Sequence, residues 1–409
     1  MRVNKKISFA VAITAVAAAS LTGCSSSDTG GEETSEGGTL TVWIDSNRAD
    51  AMKPIAEQFE EEKGIKVDLV IRDFGKLRDD LTAQVPTGKG PDITIGSNDW
   101  IGALVNDGVI APIELGDKLA EFEKVATDAI TYDGKTYGVP YAIENIAILR
   151  NTALAPDPTP ATYDEMIAAG KATGAEYPFL VGLDENNGDP YHLYALETSF
   201  GNEVFAQSSD GSYDSSKTTL GDAGGSEYAT WLAEQGAAGI LKPGLQPDLA
   251  KAAFNEGRAA YYLSGPWNVP DAQAAGIDVA VDPIPSAGGQ PAKPFVSVQA
   301  FFISAKSENA LAANEFLVNY IGTEEVQDAL FEVGGRQPAL TASAEKAASD
   351  PIIAGFAAAA ENGVPNPSNP EMGVVWEDWG KTEVAILKGA DPVSSWATMA
   401  ETINGKIGG

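Results

Sequence analysis

Between Thr39 and Ser97 the hydrophobic period switches repeatedly between that of a strand and that of a helix, and this alternation restricts the fold more than any other feature. "TLTVWID" (39–45) clusters apolar residues as a first strand does. Met52, Ile55, Ala56 and Phe59 then recur at helical spacing, and in "EEKGIKVDLVI" Gly64 closes the helix before a second strand. Phe74, Leu77, Leu81 and Val85 give another amphipathic helix, and the turn residues of "GKGPDITIG" lead into a short buried strand. Strand, helix, strand, helix, strand predicts an α/β fold with a parallel sheet covered by helices. In open sheets of this kind ligands lie beyond the carboxyl ends of the strands. The segments falling there are Asp45-Ser46-Asn47-Arg48 and Ser97-Asn98-Asp99-Trp100.

The start of the chain carries a different signal. Arg2, Lys5 and Lys6 precede an apolar run from Ile7 to Ala19, the charged and hydrophobic regions of a secretory signal. The run is too short to cross a bilayer as a helix, which takes roughly 20 residues. Leu21-Thr22-Gly23-Cys24 resembles the bacterial lipoprotein processing box, where small residues admit a signal peptidase and the thiol receives a diacylglyceryl group. A signal peptide over residues 1–23 and a lipid anchor on Cys24 are therefore expected. Each buried CH₂ of an acyl chain contributes about 0.8 kcal/mol, so more than one chain gives a stable tether. Cys24 is the only cysteine. With it consumed no disulfide forms, and the exported protein depends on its core alone. Residues 24–37 are Ser-, Gly- and Glu-rich and read as a flexible linker above the membrane.

After removal of residues 1–23 the chain is longer than one hydrophobic core usually accommodates, so two domains are expected. Net charge is -31, from 27 basic and 58 acidic residues, and loss of the three signal-peptide cations takes it to -34. Such a surface repels nucleic acid and anionic headgroups, which excludes both as partners.

Aromatic residues stand at informative places. In "YYLSGPWNVP" (261–270) a Ser-Gly-Pro turn follows an apolar strand and places Trp267 at its end. In "EMGVVWEDWGKTEVAIL" (371–387) Trp376 and Trp379 are three apart near a helix start, hence on one side. Pyranose rings have an apolar C–H face and a rim of hydroxyls. A sugar site therefore combines flat aromatic surfaces with short polar chains that take paired hydroxyls through charge-assisted bonds. The sequence offers both kinds of residue in these neighbourhoods. His192 is the only histidine, Cys24 is spent, and no phosphate loop appears, so no metal site, cofactor or nucleophilic triad is indicated.

Taken together, "VWID", "FEEEKGIKV", "TGKGPDI", "YDGKTYGVPYAIE", "AAFNEGRAAYYLSGPW", "KPFVSVQAFFISA" and "EMGVVW" resemble a cluster 1 sugar-binding lipoprotein of an ATP-binding cassette importer, of the maltose/maltodextrin subgroup. The resemblance runs from about Thr39 to the C-terminus. It implies a two-lobed periplasmic-binding-protein fold of type II, each lobe a mostly parallel sheet flanked by helices, with the ligand cleft at the hinge. The implied lobes are residues 38–142 with 300–345, and 146–296 with 349–409. By position the implied polar sugar contacts are Asp45, Asn47, Arg48 and Asp99, with Glu144 near the crossover; the implied aromatic platform is Tyr191, Trp267 and Trp376, and Trp100 is a further implied ligand-binding residue. Asn47, Arg48 and Trp100 stand where well-known members have aspartate, lysine and arginine; Gly96 replaces an aromatic and Gly380 an arginine.

The implied function is capture of maltose/maltodextrin-type oligosaccharides by hinge closure and delivery to permease subunits. The protein would be a monomer, lipid-anchored to the outer face of the cell membrane on the extracellular or periplasmic side, and not an enzyme. The alternatives are a receptor for another sugar of trehalose, xylo- or raffinose type, a receptor for a non-sugar solute, and a lipid-anchored glycoside hydrolase. The last would need two carboxyl groups roughly 5 to 9.5 Å apart across one bond.

Overall fold

A computed structural model describes residues 38–208 and 212–408. Cys24, the signal segment and the 24–37 linker lie outside the described residues.

The opening alternation folds as β1 (Thr39–Ile44), α1 (Ser46–Lys63), β2 (Lys66–Ile71), α2 (Phe74–Gln84) and β3 (Ile93–Ser97). The α1 helix starts where the Asp45 side chain accepts from the Arg48 amide. It stops at Gly64, whose φ of 69° suits a residue without a Cβ and lets its N–H reach the Glu60 carbonyl. Met52, Ile55, Ala56 and Phe59 form its buried stripe. β1 pairs in parallel with β2 on one side and β3 on the other. As a result, the first residues after β1 and β3 emerge at the same end of the sheet.

The sheet continues beyond β3 with Phe295–Ser304, then Val139–Asn145, then the short edge Gln337–Pro338. All three of these pairings are antiparallel. A second sheet places Ala147–Asn151 between Tyr261–Ser264 and Val279–Asp282, again antiparallel. Parallel ladders are thus concentrated in the β2-β1-β3 part, more narrowly than the opening pattern implies. The reason is connectivity: a parallel neighbour needs a long crossover, whereas Phe295–Ser304 enters the first sheet from the other body of the protein and runs back along β3.

Each sheet has its own core. Ile44, Phe59, Ile95 and Phe301 belong to the first cluster; Tyr194, Trp231, Trp379 and Trp396 belong to the cluster of the second. The chain passes from one to the other at Ile146, between two strands that are buried throughout. It returns along Phe295–Ser304, whose Phe295 packs in the second core and whose Val298 packs in the first. Among the described residues no helix is long and apolar enough to cross a membrane.

Candidate functional site

Asp45 leaves β1 and caps α1. Its Oδ1 accepts from the Arg48 amide at 3.1 Å, and its Oδ2 pairs with the Arg48 guanidinium. The cap therefore turns Arg48 back across the sheet end, with Cζ 5.2 Å from the Phe74 ring centre and 5.3 Å from that of Tyr141. Burial alone disfavours the charge, but the Tyr141 phenol and the Asp45 and Glu144 carboxylates outweigh it and raise the guanidinium's pKa. Asn47 stays exposed at the rim.

Asp99 and Trp100 occupy the short turn Asn98–Trp100 beyond β3. Burial raises the Asp99 carboxyl above its ordinary range, while the Ser97 hydroxyl and, further down, the Trp376 indole pull it the other way. The Trp100 ring lies 5.1 Å from Phe74. A Cβ on Gly96 would come within 2.6 Å of the Phe302 ring and 2.7 Å of Trp100. Glycine at 96 therefore leaves the room that the Trp100 and Phe302 rings occupy.

Glu144 ends its strand between two donors, accepting from Gln299 Nε2 at 2.8 Å and from Arg336 Nε at 2.6 Å. The Arg336 guanidinium in turn lies 5.6 Å from the Trp267 ring centre. Trp267 sits on the turn Pro266–Asn268, as the Ser-Gly-Pro sequence implies. Its ring folds over Gly265, where any Cβ would collide with the indole. Asn268 secures the turn by donating to the Ser264 hydroxyl at 2.8 Å and the Tyr262 hydroxyl at 3.0 Å.

Tyr191 and His192 open the helix Pro190–Thr198. Asp189 caps that helix through the His192 amide at 3.1 Å and also lies 2.7 Å from His192 Nδ1. The Tyr191 and Ser297 hydroxyls are 3.3 Å apart. Burial, then the Glu144 charge, raises the Tyr191 phenol's pKa, which keeps it a neutral hydrogen-bonding group.

Trp376 lies inside the helix Met372–Leu387, in its second turn, stacked on the fully buried Trp379 at 5.7 Å and 9°. The expected shared side is real, but only the outer indole is open to the cavity. Gly380 faces elsewhere: a Cβ there would strike the Asn187 carbonyl, so the loop before Asp189 packs directly on the helix.

Asp45, Asn47, Arg48, Asp99, Trp100, Glu144, Tyr191, Trp267 and Trp376 all line one cavity of about 520 Å³. Sequence reasoning missed Phe74, Arg78, Ser297, Gln299, Arg336 and Asn366, which line it too. His192, the single histidine, also lines the cavity, with the imidazole set edge-on to Trp267 at 5.8 Å. Ser297 and Gln299 had left a signal: two polar residues, two apart, in a strand otherwise apolar from Phe295 to Ile303.

Two of the cavity's carboxylates are paired with arginines, Asp45 with Arg48 and Glu144 with Arg336, and Arg78 Nε lies 3.6 Å from Asp79, whereas Asp99 makes no ion pair among the described residues. What remains for a ligand is flat aromatic area together with hydroxyl, amide and carboxylate edges. That surface suits a hydroxyl-rich molecule with an apolar face.

A family model described as bacterial extracellular solute-binding protein matches residues 54–357. A galactooligosaccharide-binding protein of Bacillus subtilis is 27% identical, over 100% of this chain and 98% of its own length. A maltooligosaccharide ABC transporter solute-binding lipoprotein of Streptococcus pneumoniae is 26% identical, over 88% of this chain and 86% of its own. Among solved structures, the Thermus thermophilus maltotriose-binding protein bound with maltotriose matches with a TM-score of 0.82 and 30% identity. That match covers 90% of this chain and 100% of the other.

Proposed function

The chain belongs to the bacterial extracellular solute-binding proteins, and from that premise we propose that it captures an α-linked gluco-oligosaccharide of the maltodextrin type for an ABC importer. The observation that carries this reading is the meeting in one cavity of the Trp100, Trp267 and Trp376 rings with the Asp45 and Glu144 carboxylates, each already paired with an arginine. A polyamine would need several unpaired carboxylates and an anionic solute unpaired arginines, whereas a pyranose needs ring faces and bidentate acceptors. The maltotriose bound by the Thermus relative and the maltooligosaccharide named for the streptococcal one support the α-glucan class. The Bacillus relative, matched along the whole chain, favours a second reading, a galactose-containing oligosaccharide in the same cavity.

The two lobes, residues 38–142 with 300–345 and 146–296 with 349–409, would close about the crossovers. Ligand shifts that equilibrium only through contacts made to both sides at once. Asp45 and Asp99 on one side and Tyr191 and Trp267 on the other would supply them. Glu144 is engaged by Gln299 and Arg336, an arrangement for holding a sugar without cleaving it. The closed monomer would then be presented to the permease.

Titration calorimetry with maltose, maltotriose, trehalose, xylobiose, raffinose and a β-galactobiose tests the reading. Heat is expected from maltotriose, with the trisaccharide recovered intact after long incubation. Absence of heat from both α-glucans would remove the maltodextrin assignment, and heat from the galactobiose alone would install the second reading.

Cys24 would carry the acyl chains that tether the protein. Cys24→Ser is expected to move it from the membrane fraction to the soluble fraction with sugar affinity unchanged. Continued membrane association after signal removal would rule the tether out.

A further inference from the structure

We infer that Gln299 is a specificity-determining residue whose amide oxygen accepts from one particular hydroxyl of the bound oligosaccharide, held in place by Glu144 and Arg336. The inference rests on the sugar-binding reading above and adds which group reads the sugar.

Ser297 and Gln299 share one face of the strand Phe295–Ser304, and both line the cavity, while Val298 between them is fully buried in the core. Gln299 is 3% exposed, and its side chain makes one hydrogen bond, from Nε2 to Glu144 Oε1. Its Oε1 is buried and has no partner. This orientation is dictated by chemistry. The Glu144 carboxylate, paired with the Arg336 guanidinium, can only accept, so the amide must turn its NH₂ toward it and its oxygen away. Native proteins rarely leave such an oxygen unpaired, and in a cavity wall a water or a bound ligand commonly completes the bond. A hydroxyl, which both donates and accepts, completes it; an ether or a deoxygenated carbon does not.

Arg336 acts through Glu144 and is a positioning residue. It stands on the edge segment beside Gln337–Pro338, which pairs with the Glu144 strand through Ile143 and Ala142. Its guanidinium thus spans from the Glu144 carboxylate to the Trp267 face. One side chain therefore ties the orientation of the acceptor to the position of the stacking surface.

The test compares wild type, Gln299→Met and Arg336→Lys in titrations with maltotriose and a set of its monodeoxy derivatives. Gln299→Met keeps the length and removes the amide; Gln299→Asn, which withdraws the oxygen, replaces it if the methionine variant melts abnormally. Loss of one neutral acceptor is expected to weaken maltotriose binding about tenfold. One derivative, lacking the hydroxyl that Gln299 reads, is expected to bind variant and wild type alike, because the bond has been removed from both sides. The same derivative should narrow the gap for Arg336→Lys. A tenfold gap preserved across every derivative would show that Gln299 only supports the fold and would overturn the inference while leaving the sugar reading intact. Failure of wild type to bind maltotriose or any derivative would instead overturn the sugar reading, and this inference with it.

Discussion

Trp376→Ala is expected to raise the dissociation constant for maltotriose roughly thirtyfold, and Trp376→Phe to restore most of the loss. The indole is the outer member of a stacked pair whose inner member, Trp379, is fully buried. Phe295 supports its edge at 6.1 Å and 76°. The ring is therefore a rigid, pre-positioned surface, and a sugar that stacks on it pays little ordering entropy. Truncating such an anchor typically costs about 2 kcal/mol or more, and about 1.4 kcal/mol is a factor of ten in affinity. Alanine also uncovers Trp379, so the melting temperature should fall; titration well below both melting points separates that effect from binding. An affinity unchanged in the alanine variant would place the stacking surface elsewhere, with Trp267 the next ring to replace.

Why Trp376 could be singled out from sequence, and Arg336 could not, is a matter of range. The helix that carries Trp376, the turn that carries Trp267, and the cap that turns Arg48 inward are set by residues within a few positions. Hydrophobic period, Gly and Pro punctuation, and Asp45 before α1 express them directly. The β1-α1-β2-α2-β3 order was legible for the same reason. Arg336 acquires its role from Glu144, 192 residues earlier, and from Trp267. Nothing in "GGRQPAL" marks it, because the pairing exists only once the edge segment lies beside the Glu144 strand. Gly380, standing where the resemblance implies an arginine, depends on range in the same way: a Cβ there would strike the Asn187 carbonyl, a contact from a loop far away in sequence. Antiparallel pairing of Phe295–Ser304 with β3 was likewise hidden, since strand direction depends on where the chain has been between the two strands.

Stability is expected to fall as pH rises from 5 to 9, and Glu383→Gln should remove much of that fall. Glu197 and Glu383 are both fully buried, in the core behind the Trp376–Trp379 pair. Glu197 accepts from Asn202 Nδ2 at 2.5 Å and from Trp379 Nε1 at 3.1 Å; Glu383 accepts from the Tyr228 hydroxyl at 3.0 Å and its second oxygen has no partner. Burial pushes both carboxyls well above their ordinary value of about 4.5, and for Glu383 the Glu197 and Asp189 charges push in the same direction. No cation pairs with either group among the described residues, so the neutral acid is the form the core accepts.

In the unfolded chain both groups ionise near 4.5, whereas the native protein keeps their protons to higher pH. Unfolding in that window releases protons. The stabilising contribution is therefore complete below about 4.5 and declines as pH rises toward the native values, by about 1.4 kcal/mol per pH unit for each proton retained. Glutamine cannot ionise. Melting curves of wild type and Glu383→Gln should lie close together at pH 5 and separate progressively, with the variant several degrees higher at pH 9. About 1 kcal/mol shifts the midpoint of a domain of 150–250 residues by roughly 2–4 °C. The surface carboxylates titrate equally in both proteins and cancel in the difference. Parallel profiles across the range would mean that Glu383 is ionised in the native core. An ionised Glu383 would need donors beyond the Tyr228 hydroxyl, so the core around it would have to rearrange.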